Sequence, residues 1–270
     1  SLKGDSAANA YIGGNVAQNA VENNWGADGH FSTTKAVLKM SGLSEELAHK
    51  IAMATWAPDT DERNAITVPN VKDGYLAKGD QVNIHLLDNK KDSYEIKQQQ
   101  EKLEKEGAKI VAFVYQNPDK ADEYLKFPYV QNTLHAYGDS FAHVRADGTH
   151  YHHGHGHLRD GTAPDNPSIH TDAYRGYVQG LTNIAMQVTG NYSAKQNIEN
   201  MTNKVIQQKG DKEEDTNRRI DVMNKFSGIN NYAPVEDCGL TTNCNKIKTG
   251  STVNNKTLDK DAYLNIKNKK

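Results

Sequence analysis

The stretch Leu134-His135-Ala136-Tyr137-Gly138-Asp139-Ser140-Phe141-Ala142-His143-Val144 decides how this chain is read. Three residues of metal-ligating type stand in it at i, i+4 and i+8. On an α-helix each four-residue step turns about 400°, so His135, Asp139 and His143 drift by only about 40° per step and share one face. The spacing predicts a helix presenting nitrogen, oxygen and nitrogen donors together, which are ligand types that zinc takes. A carboxylate between two histidines can bridge two ions or orient a ligand. Gly138 costs a helix about 1 kcal/mol relative to alanine, so a close approach of backbone or metal is expected there.

Histidine is concentrated around this stretch, with eight of the eleven between His135 and His170. The run Tyr151-His152-His153-Gly154-His155-Gly156-His157 follows it directly. We expect His150, His152, His153 and His155 in a surface loop that picks up metal adventitiously at most, and keep His157 as a ligand candidate.

Upstream, Phe31, Val37, Leu38 and Met40 predict a short helix ending at Gly42. Ser44 is placed as the N-cap of a second helix over Glu45 to Trp56, which Pro58 is expected to stop. An acidic loop, Asp59-Thr60-Asp61-Glu62-Arg63, is expected after it. Gln81 to Leu87 reads as an extended piece carrying His85. Tyr94 to Gly107 reads as a charge-laced helix, while Ile110 to Tyr115 fits a strand or a buried helical turn equally. Tyr124 to Val144 forms the central helical stretch, with a break at Pro128. Beyond it, Tyr174, Tyr177, Leu181, Ile184, Ala185 and Val188 mark the apolar side of a further helix. Lys204 to Asn224 reads as one polar helix, and from Gly228 a loose polar tail is expected.

The 270 residues carry 32 basic and 34 acidic side chains, a net charge of −2. No global positive field is available to draw nucleic acid or anionic lipid. Mean hydropathy is −0.81, in keeping with a polar chain with long solvated loops. No apolar run approaches the roughly 18 residues that span a bilayer, so no transmembrane segment is expected, and any export signal is expected outside this sequence. Cys238 and Cys244, with five residues between them, can close a small disulfide loop or remain two thiols; without a second pair they make no zinc knuckle. A serine-hydrolase elbow (Gly-x-Ser-x-Gly) and a phosphate-binding P-loop are both missing.

Two family resemblances rest on these residues. Val21-Glu22-Asn23-Asn24, after a Gly- and Ala-rich lead-in, resembles the boundary between the secreted stalk and the variable toxic C-terminus of contact-dependent growth inhibition proteins. This implies a linker over residues 1–24, a toxin domain over 25–227 and a polar tail over 228–270. It also implies a secreted, cell-surface-delivered module that acts in a target bacterial cell, and a cognate immunity protein as partner.

His135-x-x-x-Asp139-x-x-x-His143 resembles the core motif of the zinc-dependent phospholipase C and single-strand nuclease superfamily, the likeness running from Gly29 to about Val188. It implies a mostly α, multi-helix domain with long loops that holds two or three zinc ions. In the family's motif order the ligands are His30, then Asp59 or Asp61, then His85, His135, Asp139 and His143. His157 with Asp160 or Asp165 then competes with His170 and Asp172. Gly156 to Asp165 is similar to the matching segment of related bacterial toxin domains, which favours His157 and Asp165. The sequence departs from the family pattern at Trp25, which is internal where family enzymes ligate through a free N-terminal tryptophan. It departs again at Tyr174, where a glutamate would follow His170 by four residues.

The resemblance implies phosphodiester hydrolysis by a zinc-activated water, with Asp59, Asp61 and Asp139 as the catalytic carboxylates. Phospholipid is favoured as substrate because the near-neutral chain suits a nucleic-acid groove poorly, with nuclease action on the same site as the alternative. A structural zinc site in a non-enzymatic delivery module is the rival of another class; it would be closed, where a catalytic site keeps a water.

Overall fold

The computed structural model describes residues 28–60, 84–86, 92–145, 147–151, 164 and 166–229. These residues are mostly helical. A π-helical turn, Asp28–Thr33, leads into α1 (Thr34–Met40), followed by α2 (Glu45–Thr60), α3 (Ser93–Gln116), the one-turn α4 (Ala121–Tyr124), α5 (Pro128–Ala142), α6 (Thr171–Thr189), α7 (Lys195–Gln207) and α8 (Glu213–Ser227). Among the described residues the only β-pairing is an isolated antiparallel bridge between Val144 and His150.

Local chemistry explains most of the helix ends. Ser44 Oγ accepts from Leu47 N at 3.2 Å, as an N-cap should. Asp92 and Glu95 form a capping box at the start of α3: Asp92 Oδ1 accepts from Tyr94 N and Glu95 N, and Glu95 accepts from Asp92 N. Pro128 opens α5 at a first-turn position, where its missing N–H costs nothing.

Three local expectations give way, and one left open is decided. The second helix does not stop at Pro58 but runs through it to Thr60. Proline leaves the Ala54 carbonyl without its helical N–H partner, and at the next residue the Thr55 carbonyl meets His135 Nδ1 at 3.0 Å, tying this end of the helix to α5. Ile110 to Tyr115, open between strand and helix, takes the helical alternative as part of α3, which is one continuous helix. At His85 the chain turns rather than extends, and Leu86 takes the left-handed φ of +52°. The polar helix expected from Lys204 to Asn224 is two helices, α7 and α8, parted at Gly210. Its φ is +116°, and a Cβ there would lie 2.0 Å from the Asp215 carboxylate.

The central element is α5, which packs against α2, α3 and α6. Its buried residues, among them Val130, Leu134 and Tyr137, join the core built by Ile51, Ile110, Val114, Tyr174, Tyr177 and Ile184. Contact between α5 and α6 depends on two glycines one turn apart. Tyr137 lies over Gly180, and Phe141 lies over Gly176. Small residues spaced by four open a groove that two aromatic rings, likewise spaced by four, can fill.

A Cβ at Gly180 would sit 1.7 Å from the Tyr137 hydroxyl oxygen and 2.9 Å from its Cζ. Gly180→Ala is therefore expected to cost about 1–3 kcal/mol by overpacking. Thermal unfolding should show Tyr137→Phe recovering part of that loss in the double variant; strict additivity would mean the two residues do not oppose each other.

Candidate metal centre

Asp139 points from α5 into the space between α2, the π-helical turn and the His85 segment, and its carboxylate is fully buried. Its Oδ1 lies 2.9 Å from His30 Nε2. Its Oδ2 lies 3.2 Å from His85 Nδ1 and 3.1 Å from His135 Nε2. His135 Nε2 lies 3.1 Å from His85 Nδ1 and 3.4 Å from Asp59 Oδ1. His143 Nδ1 stands 3.9 Å from Asp139 Oδ2. Side chains 109 residues apart in sequence thus meet on one carboxylate.

Backbone carbonyls set the imidazole tautomers. A carbonyl can only accept, so Nδ1 of His135 carries a proton toward Thr55 O, and Nε2 faces the cluster. In the same way His143 Nδ1 donates to the His85 carbonyl at 2.5 Å, so any ligation by His143 goes through Nε2. Orienting acceptors of this kind are what ligating histidines use. His85 contributes through both its ring and its carbonyl, and the left-handed backbone at Leu86 supports that dual aim. Such conformations cost of order 1–3 kcal/mol and persist where surrounding structure imposes them; Ile84 and Leu86 are both buried.

His30 arrives by a different route. Its ring stacks on that of His135 with centroids 4.4 Å apart. It also lies on Gly138, where a Cβ would be 2.5 Å from His30 Cε1 and 2.7 Å from Nδ1. A close approach was expected at that glycine from backbone or metal; the group that makes it is the His30 side chain. The turn carrying His30 is fastened from several sides. Thr33 Oγ1 meets Tyr174 Oη, and Thr34 Oγ1 meets Tyr177 Oη, each at 2.9 Å. The buried Asp28 pairs with Arg219 of α8 at 2.5 Å. Arg219 also donates to the carbonyls of Gln208 and Gly210 and to Thr216 Oγ1. Burial pushes the Asp28 carboxyl up against the pull of that guanidinium.

Two overlapping sets of donors converge closely enough to hold a cation, namely His30, Asp59 and His135, and His85, His135 and Asp139. In the second set the three ligand atoms form a triangle with edges of 3.1, 3.2 and 3.1 Å. A tetrahedral zinc ion with bonds of about 2.0–2.1 Å holds its donors roughly 3.3 Å apart, so the donor set fits zinc in both chemistry and spacing.

Burial pulls the His135 pKa down, but the charges of Asp139 and Asp59 outweigh it and push it up to about 9. Burial would likewise raise Asp139; the nearby charges of His135 and His143 overcome it and hold the carboxyl well below the usual range.

Of the residues expected from the sequence, the structure brings together His30, Asp59, His85, His135 and Asp139, with His143 beside them. Asp61, Asp160, His157 and Asp165 lie outside the described residues, as do Trp25, Cys238 and Cys244. His170 and Asp172 join neither donor set. His170 Nδ1 donates to the Pro164 carbonyl at 3.2 Å, and both residues line a separate cleft. His150 is not a surface-loop histidine: it is fully buried, drawn in by its bridge to Val144 and by Tyr151 N donating to the His143 carbonyl. The Thr55 carbonyl and the Asp28–Arg219 pair had no signal in the sequence, because backbone acceptors and long-range ion pairs leave none.

Residues 1–25 match the model of a pre-toxin domain with VENN motif. That segment fits a polymorphic toxin. Neither the curated proteins nor the solved structures compared with the chain gave a match.

Metal-free protein should hold His135 as imidazolium at pH 7. A group whose folded pKa is raised contributes stability that is complete below its unfolded value of about 6.5, and that contribution is lost as pH climbs through about 9. The melting temperature of metal-free protein is therefore expected to fall across that window. Zinc, which takes the place of the proton, should abolish the fall and bind about tenfold more tightly per pH unit gained. Thermal unfolding with and without zinc from pH 6 to 9 checks both; a flat metal-free profile would refute the assignment.

Proposed function

We propose that this chain carries the toxin module of a contact-dependent inhibition-type polymorphic toxin, and that the module is a zinc-dependent phosphodiester hydrolase. The observation that carries the chemistry is the nearly equilateral triangle of His85 Nδ1, His135 Nε2 and Asp139 Oδ2, adjoined by a second donor set sharing His135. Zinc held there supplies Lewis acidity toward phosphate oxygens and makes water more acidic.

The residues divide the work. His85, His135 and Asp139 hold an ion on one side; because the single inward lone pair of His135 Nε2 serves one ion at a time, His30, Asp59 and His135 form an alternative seat for it. The Thr55 and His85 carbonyls hold the His135 and His143 rings through Nδ1, which leaves Nε2 of His135 for the ion. Asp59 is the least buried member of the cluster, at 7% exposure, and sits in the last turn of α2, which makes it the carboxylate best placed to take a proton from water. In the hydrolysis, water oxygen bonds to phosphorus and the ester P–O bond breaks. One water proton passes to Asp59, and the leaving oxygen is protonated from solvent. Phospholipid is the favoured ester and single-stranded nucleic acid the alternative, on the charge argument made from the sequence. An immunity protein encoded beside the toxin is the expected partner.

Complete burial of Asp139 and His135 favours a second reading, a closed structural zinc site in a non-enzymatic module. Release of phosphate-ester products from phospholipid vesicles and from single-stranded DNA, measured alongside zinc content, separates the two. Asp139→Asn is expected to lower hydrolysis at least about 10³-fold and to abolish toxicity, and Asp59→Asn to lower it about 10–100-fold, in protein whose helical circular dichroism is kept. Zinc-loaded wild type inert toward both esters would leave the structural reading standing and refute the hydrolase.

A further inference from the structure

On the side of α5 marked by Phe141 and Val144 lies a cleft of about 620 Å³ that shares no residue with the metal centre. It opens between the first turns of α3, the end of α5, the turn around Gly148 and the start of α6. Its volume is in the range of small-molecule sites, which are mostly apolar with a few polar groups converging. Ile96, Phe141, Val144 and Ile169 supply the apolar wall. Lys97 and Arg145 supply two positive charges against one negative charge from Asp172. The Arg145 guanidinium is steadied over the Tyr151 ring, 4.8 Å from its centroid. Burial lowers the His170 pKa, so His170 brings a neutral ring and no charge. At the edge, Ile169 is 52% exposed, and Tyr94, next to the lining residue Ser93, is 67% exposed.

We infer that this cleft binds a small amphiphilic anion, its carboxylate or phosphate head on Lys97 and Arg145 and its apolar body against Ile96, Phe141 and Ile169. The bidentate fork of Arg145 suits either oxyanion, and the hydroxyls of Ser93 and Thr171 add neutral donors. The inference stands apart from the hydrolase reading, because no residue lining the cleft belongs to either donor set.

Calorimetric titration of zinc-loaded protein with hexyl phosphate, hexanoate, hexanol and inorganic phosphate tests it. At least one of the two amphiphiles should bind at least about tenfold more tightly than hexanol or inorganic phosphate, and the tighter of them identifies the head group. Lys97→Gln with Arg145→Gln should weaken that binding about tenfold, as should Ile169→Asp, with zinc content unchanged. Asp139→Asn, which disturbs the metal centre, should leave it intact. Equal binding of hexanol, no saturable binding, or binding lost in Asp139→Asn yet kept in the cleft variants would overturn the inference; the last result would place the anion on the metal centre instead.

Discussion

A carboxylate taken out of water must be neutralised, and Asp139 meets that demand with imidazoles from three other parts of the chain. His30 comes from the π-helical turn, His85 from a short turn between helices, and His135 from one turn back on its own helix. Each is as buried as the carboxylate it faces. The arrangement fixes where α2, the His85 turn and the π-helical turn sit relative to α5, because moving any of them would strand a buried polar group. Cohesion around α5 is thus polar on one side and aromatic on the other, where Tyr137 and Phe141 press into the glycines of α6.

What could be read from the sequence followed from local periodicity. His135, Asp139 and His143 were legible because a helix repeats every 3.6 residues, and Gly138 because a glycine in mid-helix needs a reason. The apolar side of α6 was visible for the same cause: Tyr174, Tyr177, Leu181, Ile184 and Ala185 are all buried. His30, Asp59 and His85 were reached through motif order alone, and their convergence required the tertiary fold.

Other features were hidden because they depend on partners far along the chain. Pro58 is a helix stop by local rules, yet α2 runs through it to Thr60, where its end packs against α5 and the Thr55 carbonyl meets His135. The His85 segment reads as extended from its residues, while the left-handed Leu86 is imposed by packing. His150 looked like one more histidine of a polar loop, and a single bridge to Val144 takes it inside. The split between α7 and α8 turns on Gly210, whose carbonyl is one of the acceptors for Arg219.

The pairing of Asp28 with Arg219 has a temporal side. The two residues are 191 positions apart, and the turn that Asp28 begins is the one that carries His30. A ribosome or an export channel that delivers this chain from its N-terminus presents His30 long before the helix that fastens it exists. Closing so long a loop is also a late event entropically. A partly made or partly threaded chain therefore has the donors without the scaffold that gathers them, and the centre comes into being only when nearly all of the described fold has emerged.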